Sequence, residues 1–293
     1  MQHLTRRGGL ALILAMGLAG TAGAASRKEE SYGTSRDQRL DVYPRAGLTK
    51  APVLLFVHGG AWAVGDKGGV NELPAYAERH GFLLMSAGYR LTPQVDAGGE
   101  AQDIAAAFAW AKANAARYGG DPDHIVLMGH SSGAHLVVLI GVDPSYLAAH
   151  NLAPRDIAGV IALDGAAYDA GQEMRWFAGR PMGEAFYKAF GSRADALSPT
   201  LLAKAGVAMP PFLILYITSR LDSPPQARAL AAAIARAGGK VAIRATTDAT
   251  HAEINKSFGR PGDPEGEMGA AFIKSGVMPD NLILGARGRP VRE

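Results

Sequence analysis

The sequence predicts an α/β fold with a mostly parallel central sheet and helices on both faces. Short apolar, β-rich runs alternate along the chain with segments of helical periodicity, and several of these runs are continuously apolar. Strands of a parallel sheet are covered on both faces, so they lack the alternation of half-exposed strands. The length of 293 residues, with 48% hydrophobic and 19% charged residues, fits one large domain of this class.

Seven strands and two clear helices follow from these patterns. One helix is predicted at 100–118, where apolar side chains recur at helical spacing before a Gly-Gly-Asp-Pro sequence ends it. Another is predicted to begin at Ser223, with two prolines in its first turn, and to end at a Gly-Gly pair after Ala237. The predicted strands are 39–43, 53–58, 82–87, 125–128, 158–163, 212–217 and 241–245.

The beginning of the chain and one internal segment stand outside this alternation. Residues 1–24 combine Arg6 and Arg7 with an apolar run and with small residues before Ala25, which predicts a cleaved signal peptide. We therefore expect a protein exported to the periplasm or the medium, with no stable membrane span after processing. An uncleaved anchor is the alternative. Residues 25–293 then form a single domain, in which 166–208 make a cap-like excursion between two core strands.

The composition excludes several classes of function. Lys and Arg number 30 against 27 Asp and Glu, and no basic run interleaves with aromatic residues, so we expect no nucleic-acid partner. The chain has no cysteine, which excludes disulfides, a cysteine nucleophile and thiolate metal ligands.

The candidate nucleophile is Ser131, at the centre of the Gly-His-Ser-Ser-Gly sequence 129–133. An apolar run precedes this sequence and an apolar helical run follows it. That is the strand–turn–helix context in which a G-x-S-x-G turn presents a serine above the sheet edge. Side chains at Gly129 and Gly133 would collide with the neighbouring strand or helix. The alternative is an ordinary turn with Ser131 as a helix cap.

A second motif, His-Gly-Gly-Ala-Trp at 58–62, follows the predicted strand 53–58. Consecutive glycines let backbone N–H groups approach a developing oxyanion closely. We expect the donors to be Gly60 and Ala61, with Gly59 as an alternative, together with the N–H of Ser132. A phosphate-binding loop is another interpretation, but the Lys-Ser/Thr of a P-loop is missing.

The candidate general base is His251, which follows the last long strand. Of the eight histidines, only His135, His150 and His251 come after Ser131 in the chain. His135 lies within the helix of the serine turn and cannot curl back, and His150 precedes every later strand end. A histidine is the side chain whose ordinary pKa suits a base near neutral pH.

Two aspartates compete for the acid that would orient His251. Asp222 is favoured because it follows the penultimate strand, which matches the usual chain order of such triads. Asp164 ends the strand 158–163 and is the rival, since a carboxylate there can reach the same place. Asp248 is too close in sequence to His251 to be the first choice.

Aromatic residues suggest where a substrate would bind. Trp62 ends the glycine-rich motif, and Trp176 and Phe177 lie in the excursion 166–208, so all three are candidate pocket residues. The alternative is that the aromatic residues of the excursion pack into the core, as aromatic stripes usually do.

Taken together, these segments resemble the esterase/lipase branch of the α/β hydrolases with an HGG oxyanion motif. Within it they resemble carboxylesterases and arylformamidase-like enzymes. The matching segments are 40–43, 58–62, 88–91, 118–122, 129–133 and the His251 region. The resemblance implies the α/β-hydrolase fold and hydrolysis of small carboxylic esters through an acyl-enzyme, with no metal or organic cofactor. One departure is Ser219-Arg220-Leu221-Asp222, where relatives often carry Gly-x-x-Asp.

Other functions remain as alternatives at this stage. The same triad could hydrolyse small N-acyl or N-formyl amides. A non-catalytic binding protein could retain the fold, although the intact triad candidates argue against it. A peptidase would be expected to carry an extra domain that restricts access, of which the sequence gives no sign. The sequence makes no prediction of oligomeric state.

Overall fold

A mixed sheet of eight strands runs through the part of the protein described by the computed structural model, residues 27–246 and 249–276. The strands are β1 Lys28–Ser31, β2 Arg39–Tyr43, β3 Ala51–Val57, β4 Leu83–Ala87, β5 Gly120–His130, β6 Gly159–Leu163, β7 Phe212–Ile217 and β8 Val241–Thr246. Their order in the sheet is β1-β2-β4-β3-β5-β6-β7-β8. The first two pairings are antiparallel and the remaining five are parallel. The predicted fold class is thereby confirmed.

Ten α-helices lie between or after these strands in the described residues. Asp96 begins α2 by accepting a hydrogen bond from the Gly99 N–H at 2.9 Å, which satisfies one of the free donors of the first turn. Four short 3-10 turns lie between the helices. The α-helices are α1 Leu73–His80, α2 Ala97–Asn114, α3 Ser132–Val142, α4 Pro144–Ala148, α5 Ala170–Trp176, α6 Pro181–Phe190, α7 Pro199–Leu202, α8 Ser223–Arg236, α9 Glu253–Ser257 and α10 Pro264–Ser275.

The central strands separate two apolar layers because successive side chains of a strand point to opposite faces. In β3, Val53, Leu55 and Val57 face the layer that contains α2, α3 and α8, whereas Leu54 and Phe56 face the layer that contains α1 and α10. All five side chains are fully buried. Burial of one such side chain stabilises the fold by about 1.5–3 kcal/mol. This accounts for the continuous apolar run in the sequence.

The parallel strands bring their carboxyl ends to one edge of the sheet, and the loops after β3, β5, β6 and β8 meet there. Ligands of open α/β sheets bind at this edge. No helix in the ranges 27–246 and 249–276 has both the length and the apolar character that a membrane crossing needs. The predicted signal peptide, 1–24, and Asp248 lie outside the described residues.

Candidate active site

Ser131 occupies the sharp turn between β5 and α3. Its backbone has φ 55° and ψ −121°, a conformation that side chains rarely adopt and that costs on the order of 1–3 kcal/mol. The flanking glycines make the turn possible. A Cβ at Gly129 would overlap the carbonyl of Gly133, and a Cβ at Gly133 would overlap the carbonyls of Val57 and His58. The motif therefore forms the tight strand-to-helix turn that its sequence predicts.

His251 lies between β8 and α9 and reaches Ser131. Its Nε2 is 3.0 Å from Ser131 Oγ, which is hydrogen-bond distance. The serine hydroxyl can donate to Nε2 when Nδ1 carries the ring proton. The predicted contact between these two residues, 120 positions apart in the chain, is present.

The acid beside His251 is Asp164, and this corrects the expectation for Asp222. Asp164 Oδ2 lies 2.6 Å from His251 Nδ1, and the aspartate side chain is fully buried. Asp222 instead accepts hydrogen bonds from Arg220, two residues before it in the chain. The physical reason is adjacency in the sheet. β6 is the direct neighbour of β5, so the residue that follows β6 emerges beside the serine turn, whereas Asp222 lies five positions beyond the end of β7.

Several donors converge on the Asp164 carboxylate. The Ile217 N–H donates to Oδ1 at 3.2 Å, Ser223 Oγ donates to the same oxygen, and Arg220 Nη1 lies 3.1 Å from Oδ2. Burial alone would raise the pKa of Asp164, but the hydrogen bond with His251 and then the Arg220 guanidinium hold it below its ordinary value. An ionised Asp164 accepts from Nδ1–H and so fixes the imidazole tautomer that can accept the serine proton.

His130, the residue before the serine, supports the loop that carries His251. Its Nε2 donates to the His251 carbonyl oxygen at 2.8 Å, and the two rings lie 4.7 Å apart. Burial, and then the neighbouring His251, lower the pKa of His130 to about 4, so this ring is neutral at pH 7. Sequence reasoning missed this role, although the position of His130 inside the serine motif was a signal.

The glycine-rich segment 58–62 packs against the serine turn. A Cβ at Gly59 would lie 2.9 Å from Ser131 Cβ, and Gly60 has a φ of 139° that favours glycine. Tyr89 fixes the start of this loop: its Oη donates to the His58 carbonyl at 2.7 Å, and its ring stacks on the His58 ring. Gly59, Gly60 and Ala61 all line the cleft that contains Ser131.

Ser132 is the first residue of α3 and follows the nucleophile directly. The first N–H groups of a helix have no partner within the helix, and the helix dipole favours negative charge at this end. The residues predicted for an oxyanion hole are therefore brought to the same side of the site as Ser131.

The three predicted pocket aromatics lie away from the cleft. Trp62 is 1% exposed and packs edge-on against Phe190 at 4.9 Å. Phe177 stacks on Phe186, and Trp176 is partly exposed on the end of α5. Phe186 and Phe190 of the excursion pack inward, as the alternative interpretation expected, whereas Trp176 and Tyr187 are exposed. The inward placement follows from the large apolar area that burial removes from water.

An open cleft of about 600 Å³ leads to Ser131 and His251. From the excursion 166–208 only Met182, near the start of α6, is among its lining residues. Asn255 and Lys256 from α9 line one side, and Asp66 and Asn71 from the loop after β3 line it as well. Sequence analysis missed these polar residues, which belong to no recognisable motif.

No group of three or more His, Asp or Glu side chains that could hold a metal ion occurs among residues 27–246 and 249–276. The site consists instead of a hydroxyl, an imidazole and a carboxylate in hydrogen-bond contact, beside a loop of exposed backbone.

Part of the chain is similar in sequence to a family model and to curated esterases. The BD-FAE family model matches residues 40–154. Esterase LipC of Mycobacterium tuberculosis is 40% identical over 129 residues, which is 42% of this chain and 32% of LipC. The chain thus spans about a third of the length of this relative.

Solved structures share the architecture over most of both chains. Thermogutta terrifontis esterase 2, in a phosphonylated form, has a TM-score of 0.69 and 22% identity over 85% of this chain and 93% of that chain. Esterase B from Lactobacillus rhamnosis has a TM-score of 0.69 and 23% identity over 86% and 85%. The chain therefore has the α/β-hydrolase fold of these solved esterases, and its residues 40–154 are similar in sequence to the BD-FAE family.

Proposed function

We propose that the protein is a serine hydrolase that cleaves small carboxylic esters through an acyl-enzyme. The observation that carries this proposal is the unbroken contact from Ser131 Oγ to His251 Nε2, at 3.0 Å, and from His251 Nδ1 to Asp164, at 2.6 Å. A nucleophile, a base within hydrogen-bond reach and a third group that orients the base are the parts that acyl transfer requires. The esterases among its relatives support the substrate class.

In the proposed reaction, His251 accepts the proton of Ser131 as Oγ attacks the ester carbonyl carbon. The oxyanion is held by the N–H groups of Gly60, Ala61 and Ser132, with Gly59 as the alternative donor. Protonated His251, stabilised by the carboxylate of Asp164, then gives its proton to the leaving alcohol. Water attacks the acyl-enzyme by the same sequence, with His251 first as base and then as acid.

The shape of the cleft favours an ester with a small acyl group, and it leaves open space for the alcohol group. Phe186 and Phe190 of the excursion pack against Trp62 and fill the apolar space behind it, which leaves no room there for a long acyl chain. The open cleft carries Asp66, Asn71, Asn255 and Lys256 on its walls. We therefore expect faster turnover of acetyl and butyryl esters than of long-chain esters.

The experiment is turnover of p-nitrophenyl acetate by Ser131→Ala, with Ser145→Ala as the matched control. Ser145 lies at the start of α4, and its side chain is not part of the cleft. We expect Ser131→Ala to lose turnover and covalent labelling by a fluorophosphonate, while Ser145→Ala keeps both. Undiminished turnover by Ser131→Ala would contradict the proposal. A parallel assay on N-formyl aromatic amines identifies an amidase if the amide is hydrolysed faster than the ester.

We also propose that the protein is exported, on the strength of the sequence of residues 1–24. In the predicted form of export, the signal peptide is cleaved before Ala25. Amino-terminal sequencing of the protein recovered from the periplasm or medium should therefore begin at Ala25. A product that begins at Met1 and stays with the membrane fraction would favour the uncleaved anchor.

A further inference from the structure

Arg220 is an unexpected neighbour for the base of this site. It lies between β7 and α8, and its Nη1 is 3.0 Å from His251 Nδ1 and 3.1 Å from Asp164 Oδ2. The other side of the same guanidinium bonds Asp222, through Nη2 to Oδ2 and through Nε to Oδ1 at 3.3 Å. Arg220 thus bridges the acid that contacts His251 and the aspartate that the sequence favoured for that role.

The contact between Arg220 and His251 cannot be an ordinary hydrogen bond in the working tautomer. Nδ1 carries a proton that it donates to Asp164, and a guanidinium has only donors. The two groups therefore face each other as donors, and the Arg220 cation faces a second cation when His251 accepts the serine proton. A like charge at this distance opposes formation of the imidazolium and weakens the base.

Asp222 offsets that effect. Its side chain is 8% exposed, and its carboxylate lies on the side of Arg220 away from Asp164. Burial works against its charge, but the Arg220 hydrogen bonds, followed by the neighbouring Glu173 carboxyl, hold the pKa of Asp222 below its ordinary value. One guanidinium thus faces two carboxylates, which leaves one negative charge to stabilise the imidazolium.

Glu173 of α5 completes the cluster as a neutral acid. Its side chain is fully buried, and burial followed by the neighbouring Asp222 carboxylate raises its pKa to about 9. A protonated Glu173 has a hydrogen to donate and Asp222 has oxygens to accept it. The cluster Glu173–Asp222–Arg220, named here the arginine cluster, therefore extends from the excursion to the back of the imidazole.

We propose that Arg220 is a positioning residue that sets the strength of His251 as a base, and that Asp222 acts through Arg220 to limit its opposing charge. This inference rests on the proposed function of the site. It gives Asp222 a role other than that of the triad acid, and it explains how a guanidinium can lie against a catalytic imidazole without abolishing its basicity. Arg220 Nη1 also donates to Asp164 Oδ2, the same oxygen that accepts from His251 Nδ1.

The test is the pH dependence of kcat/KM for p-nitrophenyl acetate in Arg220→Gln and Asp222→Asn. The groups that face His251 are Asp164, Arg220 and His130, and His130 is neutral over the range tested. Arg220→Gln removes the opposing cation, so the acid limb of the profile should move up by about one pH unit. Asp222→Asn leaves the cation less compensated, so the limb should move down, with a several-fold lower plateau.

Opposite shifts are the distinguishing result, because simple loss of a salt bridge would disturb both variants in the same way. Arg220→Lys keeps the charge and should keep the limb near that of the wild type. Arg244→Gln is the matched control: it removes an arginine from a pair with Glu265, outside the cleft. Unmoved limbs in both variants, or shifts in the same direction, would overturn the proposal.

A second measurement does not depend on turnover. Titration of the ¹⁵N-labelled His251 imidazole by NMR, in a Ser131→Ala background, should show the same opposite shifts for Arg220→Gln and Asp222→Asn. If Ser131→Ala still hydrolyses esters, the proposed function fails while the NMR titration still decides the role of Arg220. If the imidazole titrates identically in both variants, the role of Arg220 fails while the esterase assignment stands.

Discussion

Replacing Asp164 with asparagine should nearly abolish turnover, for a reason that its hydrogen bonds make specific. The carboxylate accepts at both oxygens: Ile217 N–H and Ser223 Oγ at Oδ1, and His251 and Arg220 at Oδ2. An amide has only one acceptor oxygen, so its NH₂ group must face donors on one side. The buried donors at Oδ1 cannot turn to water, which favours placing the NH₂ group toward His251.

The consequence is a change of tautomer at His251. With a donor facing Nδ1, the ring proton moves to Nε2, which lies 3.0 Å from Ser131 Oγ. A protonated Nε2 cannot accept the serine proton, and the analogous change in a serine protease lowers kcat by about 10⁴-fold. That factor corresponds to about 5 kcal/mol of transition-state stabilisation.

The assay compares kcat/KM for p-nitrophenyl acetate in Asp164→Asn and Asp222→Asn at a pH where the wild-type rate is maximal. Far-UV circular dichroism and thermal melting should accompany it, to show that both variants fold. Asp164→Asn should lose about 10³–10⁴-fold, and Asp222→Asn no more than roughly tenfold. A larger loss for Asp222→Asn than for Asp164→Asn would refute the reasoning and restore the assignment favoured by chain order.

Three further predictions follow from other contacts. Gly60→Ala places a Cβ into the Val64 carbonyl, and the displaced oxyanion loop should lower kcat by about 10²–10³-fold with a smaller effect on KM, measured by steady-state kinetics. His130→Ala removes the donor to the His251 carbonyl and should lower kcat/KM by about 10²-fold, because His251 shifts; wild-type rates would show that its anchoring is dispensable. Burial raises the pKa of Glu100 from its ordinary value of 4.5 to about 9. Between pH 4.5 and pH 9 the carboxyl is protonated in the folded protein and ionised in the unfolded chain, so the wild-type stability declines as the pH rises through this range. Glu100→Gln removes that decline and should stabilise the protein at pH 8 by on the order of 1–3 kcal/mol but hardly at pH 5, as thermal melts at both pH values would show.

The strands could be predicted from the sequence because their patterns are local. β2 and β7 begin and end where the apolar runs predict. β1 escaped prediction because its residues, Lys28–Ser31, are polar: it is an edge strand, mostly exposed, and paired only with β2. An edge strand needs no apolar face, so periodicity carries no signal for it.

The acid could not be predicted because its position depends on sheet order. Chain order ranks Asp222 above Asp164, but reach to His251 is decided by which strand lies next to β5. The presence of Arg220 two residues before Asp222 was visible in the sequence, as a departure from the usual glycine-rich turn. The role of Arg220 could not be predicted, because a sequence pattern does not show which of the two aspartates will contact His251 and which will pair mainly with Arg220.

Ser131 and Asp164 are joined through the sheet itself, since the Ser131 N–H donates at 3.0 Å to the carbonyl of Leu163, the residue before Asp164. Ser131 and Asp164 are thus held by hydrogen bonds of the central sheet. The third residue, His251, lies outside the sheet, and its side chain is 37% exposed. The working lifetime of the site is therefore limited by the docking of one segment. We therefore expect conditions that loosen the segment around His251 to reduce turnover before the sheet unfolds, and the loss to be reversible.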